Sequence, residues 1–151
     1  MDTVNGHIDN LCAFVKPQVV TLAWTDDKND PQYEISKEAL EILNFSTDAK
    51  GRKFMVIKVH QPDPLYQTQE ESAVVGESFV QDVSRLCATY INYYFVNGGI
   101  IMPSFGDCKY DKLAFETLSS TFKDRKVVQI PTREILLGGG GIHCITMQEP
   151  I

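Results

Sequence analysis

The chain has 151 residues, 43% hydrophobic and 23% charged, a composition that suits one folded domain with a real core. Its formal net charge of −6 argues against a nucleic-acid partner, whose phosphates select basic surfaces, and suits a cationic small molecule. No apolar run approaches the roughly 20 residues needed to cross a bilayer. The opening "MDTVNGHIDN" has neither the basic region nor the apolar core of a secretory signal, so a cytoplasmic location and no membrane partner are expected.

In chain order, "NLCAFVKPQVVTLAWT" contains two short apolar stretches around Lys16-Pro17-Gln18, the pattern of a strand, a tight turn and a second strand. A helix follows, with Asp30 as N-cap, Pro31 at the first helical position, and Ile35, Ala39 and Leu43 at helical spacing. "KFMVIKVH" alternates as a strand with Phe54, Val56 and Lys58 on one face and Met55, Ile57 and Val59 on the other. Both faces are largely apolar, so burial of this strand is expected.

The same order then recurs. "ATYINYYFVNGGIIMP" has two strand-like runs flanking Asn97-Gly98-Gly99, a hairpin signal because Asn and Gly accept positive φ at little cost. "KYDKLAFETLSSTF" reads as a helix with Tyr110, Ala114, Leu118 and Phe122 on one side, and "KVVQIP" closes the unit as a strand. The expected organisation is two β-β-α-β modules, about residues 7–60 and 85–131, followed by a closing strand over 138–149. Residues 61–84 form a long polar connection, and loops of that length are usually functional or mobile. Modules that bury their faces against neighbours form an incomplete stack when only two are present, which suggests part of a larger fold.

The chemistry-bearing residues are few. Cys12, Cys87, Cys108 and Cys144 are scattered without C-x-x-C or zinc spacing, so reduced thiols are expected. Gly138 to Gly141 precede Ile-His-Cys, yet the Lys and Ser or Thr of a phosphate loop are missing, and "IHCITM" alternates like a strand. Two readings of the glycines remain: a structural run, or bare backbone that lets a ligand reach Cys144. His7 and Asp9 are two apart, so an extended strand would put both on one face. There a carboxylate can hold a cation while an imidazole moves protons, although a satisfied surface histidine also fits. A metal site of His7, Asp9, His143 and Cys144 is disfavoured, because adjacent His and Cys on a strand face opposite ways. The acids in "WTDDKNDPQYE" read as caps at a helix start rather than a calcium loop, and "YINYYF" reads as a packed aromatic strand.

Together, "NGHIDN", "LAWTDDKNDPQYE", "KVHQPDPLYQTQEES", "YINYYFVNGGIIMPSFGD" and "REILLGGGGIHCITMQEP" closely resemble the C-terminal part of the agmatine deiminases, members of the guanidino-group-modifying pentein superfamily. The resemblance covers essentially the whole chain. It implies an α/β fold of the pentein β/α-propeller type, of which this chain carries about two of five β-β-α-β modules. It also implies that Cys144 is the nucleophile, His7 the general acid and base, Asp9 a carboxylate that grips the guanidinium, and Gly140 and Gly141 a clearing for the substrate. The implied substrate is agmatine, with no metal or organic cofactor. Gly141 stands where the family usually has asparagine, Val4 replaces a more typical polar residue, and the family's second substrate aspartate and a glutamate from its N-terminal modules have no match here. Asp26, Asp27 and Asp107 lie outside the matching motif contexts. The alternative expectation is therefore a catalytically incomplete fragment that binds cationic amines or assembles with a missing N-terminal half, or self-associates through exposed module faces.

Overall fold

The computed structural model describes residues 6–74 and 85–149. β1 (Cys12–Lys16) and β2 (Val19–Trp24) form an antiparallel hairpin, α1 (Gln32–Phe45) crosses over, and β3 (Met55–His60) returns parallel to β2, giving the order β1-β2-β3. After a short α2 (Gln69–Val74), the pattern repeats with β4 (Tyr94–Val96), β5 (Gly99–Ser104), α3 (Cys108–Thr121) and β6 (Lys126–Pro131), in the order β4-β5-β6. A parallel pair needs a crossover and an antiparallel pair only a tight turn, so each unit uses one of each. The β-β-α-β order expected from the sequence is present twice. α4 (Arg133–Leu137) then leads into the glycine run.

Local chemistry explains the element boundaries. Both hairpins turn on two residues whose second member is left-handed, Gln18 at φ 71° and Gly98 at φ 74°. Asp30 caps α1 as expected: its carboxylate accepts from the Gln32 N–H at 2.9 Å, its carbonyl from the Tyr33 N–H at 2.8 Å, and Pro31 follows at φ −51°. Asp107 caps α3 through the Lys109 and Tyr110 N–H groups. α2 opens with a reciprocal box in which Thr68 N–H donates to the Glu71 carboxylate at 2.7 Å and Glu71 N–H to the Thr68 hydroxyl at 3.2 Å. The rest of the long polar connection, residues 75–84, and Val4 lie outside the described residues.

The core joins the two units. Ala23 and Val59 of the first pack with Tyr90, Ile91, Tyr93, Ile100, Met102, Ala114, Leu118, Phe122 and Val127 of the second. Tyr93 and Thr21 hydroxyls meet at 3.0 Å across the junction. Ala114, Leu118 and Phe122 are buried as the helical spacing of α3 predicts, and Tyr110 is half-buried. In α1 the expected stripe is only partly covered: Ala39 and Leu43 are half-buried, Ile35 is exposed, and the buried residue is Ser36.

Three sequence expectations are corrected. Among the described residues β3 pairs with β2 alone and so stands at the edge of its sheet, and only Val59 of it is buried, while Met55 is 65% exposed. The aromatic run is a strand only from Tyr94, because the preceding backbone is captured by side chains: Gln61 accepts from the Tyr90 N–H at 2.9 Å and Thr89 from the Ile91 N–H at 3.2 Å. The closing strand over 138–149 does not form. Ile142 is helical and His143–Ile145 make a 3-10 turn, held by the Thr146 hydroxyl donating to the Ile142 and His143 carbonyls.

Candidate active site

Three stretches meet at the junction of the two units: residues 7–10 ahead of β1, residues 89–92 ahead of β4, and residues 140–144 after α4. The first is a 3-10 turn, Ile8–Asn10, rather than the extended strand expected, yet it still turns His7 and Asp9 towards each other, with His7 Nδ1 4.0 Å from Asp9 Oδ1. The second is pinned to the first by the Thr89 hydroxyl, which donates to the Asn10 carbonyl at 2.9 Å. The third is delivered by α4, whose first residue, Arg133, grips the Glu71 carboxylate through Nε at 2.7 Å and Nη2 at 2.9 Å.

The glycine run is shaped for close approach. Gly139 ends α4 in the left-handed region at φ 86°. A Cβ on Gly140 would sit 2.9 Å from the Cβ and 3.2 Å from the Sγ of Cys144, and one on Gly141 would stand 2.8 Å from Asn92 Cγ. The bare backbone thus makes room first for the protein's own side chains, Cys144 and Asn92, which refines the sequence expectation of a clearing for ligand.

Asp9 is the hub. Its Oδ2 lies 2.8 Å from His143 Nδ1, 3.2 Å from Asn92 Nδ2 and 3.6 Å from Cys144 Sγ. Burial pushes its carboxyl up, but the hydrogen bond and charge of His143, with a bond from Cys144, outweigh this and hold it below the ordinary carboxylate value. Asp9 is therefore ionised at neutral pH, beside an exposed thiol, with His7 standing open to solvent at its other oxygen. A planar cation placed here would meet a carboxylate, a thiol and an imidazole.

Residues 1–150 match the sequence pattern of the Porphyromonas-type peptidyl-arginine deiminase family. The chain belongs to that family. It is 53% identical over 154 aligned residues to an agmatine deiminase of Medicago truncatula and 52% identical over 153 to one of Pseudomonas aeruginosa, in each case over 99% of this chain and 41% of the relative. The structure of the Enterococcus faecalis agmatine deiminase superposes with a TM-score of 0.83 at 37% identity, over 97% of this chain and 40% of that one. This family member thus spans about two fifths of the length of the curated relatives it matches.

Of the residues singled out from sequence, the fold brings together His7, Asp9, Gly140, Gly141 and Cys144. Asp26 instead accepts from Trp24 Nε1 at 2.8 Å, and Asp107 caps α3. Sequence reasoning missed Asn92 and the role of His143 as Asp9's partner. The signal for Asn92 was present: one amide inside a run of aromatic and branched residues must be satisfied if it is buried. Among the described residues, no group of three or more His, Cys, Asp or Glu side chains could hold a metal ion, and no helix is long and apolar enough to cross a membrane.

Proposed function

We propose that this chain carries the nucleophile side of an agmatine deiminase site. The observation that carries the reading is the ionised Asp9 carboxylate, poised between the Cys144 sulfur and the His7 imidazole. Asp9 draws a guanidinium to the sulfur by charge and hydrogen bonding. The Cys144 thiolate forms a bond to the guanidino carbon, and His7 supplies the proton with which ammonia leaves, so that an amidino-thioether remains. His7 then takes a proton from water as its oxygen attacks the same carbon, the C–S bond breaks, and the thiolate and N-carbamoylputrescine separate. No step calls on a metal or organic cofactor. The fold that would frame this chemistry is the five-module pentein propeller, with this chain supplying two modules, in the cytoplasm.

Ammonia release from agmatine by the purified chain, with Cys144→Ala and Cys108→Ala beside it, tests this. Turnover abolished by the first change and kept by the second supports the mechanism, and turnover that survives Cys144→Ala refutes it. The span of about two fifths of the relatives' length favours a second reading, a binding or assembly partner that is incomplete alone. Calorimetric agmatine binding without ammonia release would favour that reading.

A further inference from the structure

We propose that Asn92 is a positioning residue that holds the Cys144 sulfur against Asp9, and that Gly141 is the opening that admits it. The proposal rests on Cys144 being the nucleophile, as argued above.

Asn92 is 1% exposed, yet its amide lies among the reacting groups. Its orientation follows from its partners: the His143 backbone N–H, which can only donate, lies 2.8 Å from one amide atom, so that atom is Oδ1 and Nδ2 faces the other way. Nδ2 has two protons and four acceptors around it: Asn10 Oδ1 at 2.9 Å, Asp9 Oδ2 at 3.2 Å, Cys144 Sγ at 3.4 Å and the Asp9 carbonyl at 3.5 Å. The shortest bond takes one proton to Asn10. The second proton lies between the carboxylate and the sulfur.

That sharing has a chemical consequence. While Cys144 is a thiol, its S–H faces Asp9 Oδ2 at 3.6 Å and the carboxylate has its donors. When the thiol ionises, two negative groups face each other, and the Asn92 N–H is the fixed neutral donor between them. The titratable groups facing the sulfur are Asp9 directly, and His143 and His7 through Asp9. Asn92 therefore lowers the cost of the thiolate without competing for a cation. At the far side of the amide, any side chain on Gly141 would collide with Asn92 Oδ1 and Cγ, so the glycine and the amide act as one unit.

The test is the pH dependence of iodoacetamide alkylation at Cys144, read by peptide mass spectrometry on the full chain, with exposed Cys108 as internal reference. A hydrogen bond to a charged group corresponds to a shift of about one pH unit or more, so Asn92→Ala moves the Cys144 midpoint up by that amount. Gly141→Ala moves it the same way, and the double variant goes no further than the larger single. Midpoints unchanged in both single variants overturn the proposal. A measurement on the unaltered chain covers the case in which the variants do not fold: the Asn92 side-chain amide resonance moves with the alkylation midpoint of Cys144, and a resonance indifferent to that midpoint overturns the proposal. Neither readout needs agmatine turnover, so a chain that couples Asn92 to Cys144 yet releases no ammonia leaves this proposal standing and favours the reading of a chain that is incomplete alone.

Discussion

Tyr90 anchors the segment that presents Asn92, and its worth can be worked from its bonds. Its side chain is fully buried, and its hydroxyl donates to Asp111 Oδ1 at 2.7 Å. The same carboxylate accepts from the Phe105 and Gly106 N–H groups, each at 3.0 Å. Burial and the Asp111 charge push the phenol far above its ordinary range, so it remains a donor at all working pH. Tyr90→Phe removes one charge-assisted bond but leaves the carboxylate its two backbone donors, which puts the cost at the low end of the usual range, about 1.5 kcal/mol. Asp111→Ala strips the acceptor from three donors, of which exposed Gly106 can turn to water, and costs about 3 kcal/mol. With about 2–4 °C per kcal/mol for a chain of this size, Tm falls by about 3–6 °C and about 6–12 °C respectively. The double variant should lose no more than Asp111→Ala alone, since the phenol has already lost its partner and Phe leaves no stranded hydroxyl. Urea and thermal unfolding followed by circular dichroism measure all three. Strictly additive losses would refute the pairing.

Two further outcomes follow, one from an ion pair and one from a backbone angle. Hydrogen bonds from Arg133, helped by the Thr68 N–H, bring the Glu71 carboxyl from 4.5 down to about 2. A depressed carboxyl stabilises the fold above its unfolded value and loses that contribution as pH falls through the folded value, so the gap in urea midpoint between wild type and Glu71→Gln is full above about 4.5 and closes towards pH 2. A gap that stays constant over this window would exclude the ion pair as its source. Gln18 holds φ 71° in the first hairpin turn, and Gln18→Gly relieves the left-handed strain at a smaller cost in chain entropy. The net gain is about 0.5–1 kcal/mol, or about 1–4 °C in Tm, and a lower Tm would show that the side chain rather than the backbone decides that turn.

What could be read from the sequence was whatever depends on neighbours along the chain. Turn residues at Pro17-Gln18 and Asn97-Gly98, the Asp30 cap and the four-residue spacing through Ala114 and Leu118 all act locally, and all stand in the structure as expected. What could not be read depends on partners far away. β3 has the composition of a central strand, but no local rule says that, among the described residues, β2 alone will pair with it. The residues from Ile142 to Met147 alternate, yet Asn92 claims the His143 N–H and Thr146 claims two carbonyls, so a 3-10 turn wins over a strand. The site was half legible for the same reason. His7, Asp9 and Cys144 have revealing residue types, whereas Asn92 acquires its meaning only from a fold that sets it beside residues more than fifty positions away.

The repeat itself explains why Asp9 and Asn92 meet. Each lies just ahead of the first strand of its unit, Asp9 before β1 and Asn92 before β4, so the two occupy the same station in successive modules. Packing the modules side by side through Ala23, Val59, Tyr90 and Tyr93 brings those stations together, and Gln61, donating to the Val59 carbonyl and accepting from the Tyr90 N–H, fixes their separation. One station supplies a carboxylate and the other a neutral amide. That difference suits a shared sulfur: two carboxylates at these distances would resist ionisation of the thiol, and two amides would leave the site without a negative charge. The tail after α4 then has only to deliver Cys144 between them, and Gly140 against Cys144 and Gly141 against Asn92 leave the room for it.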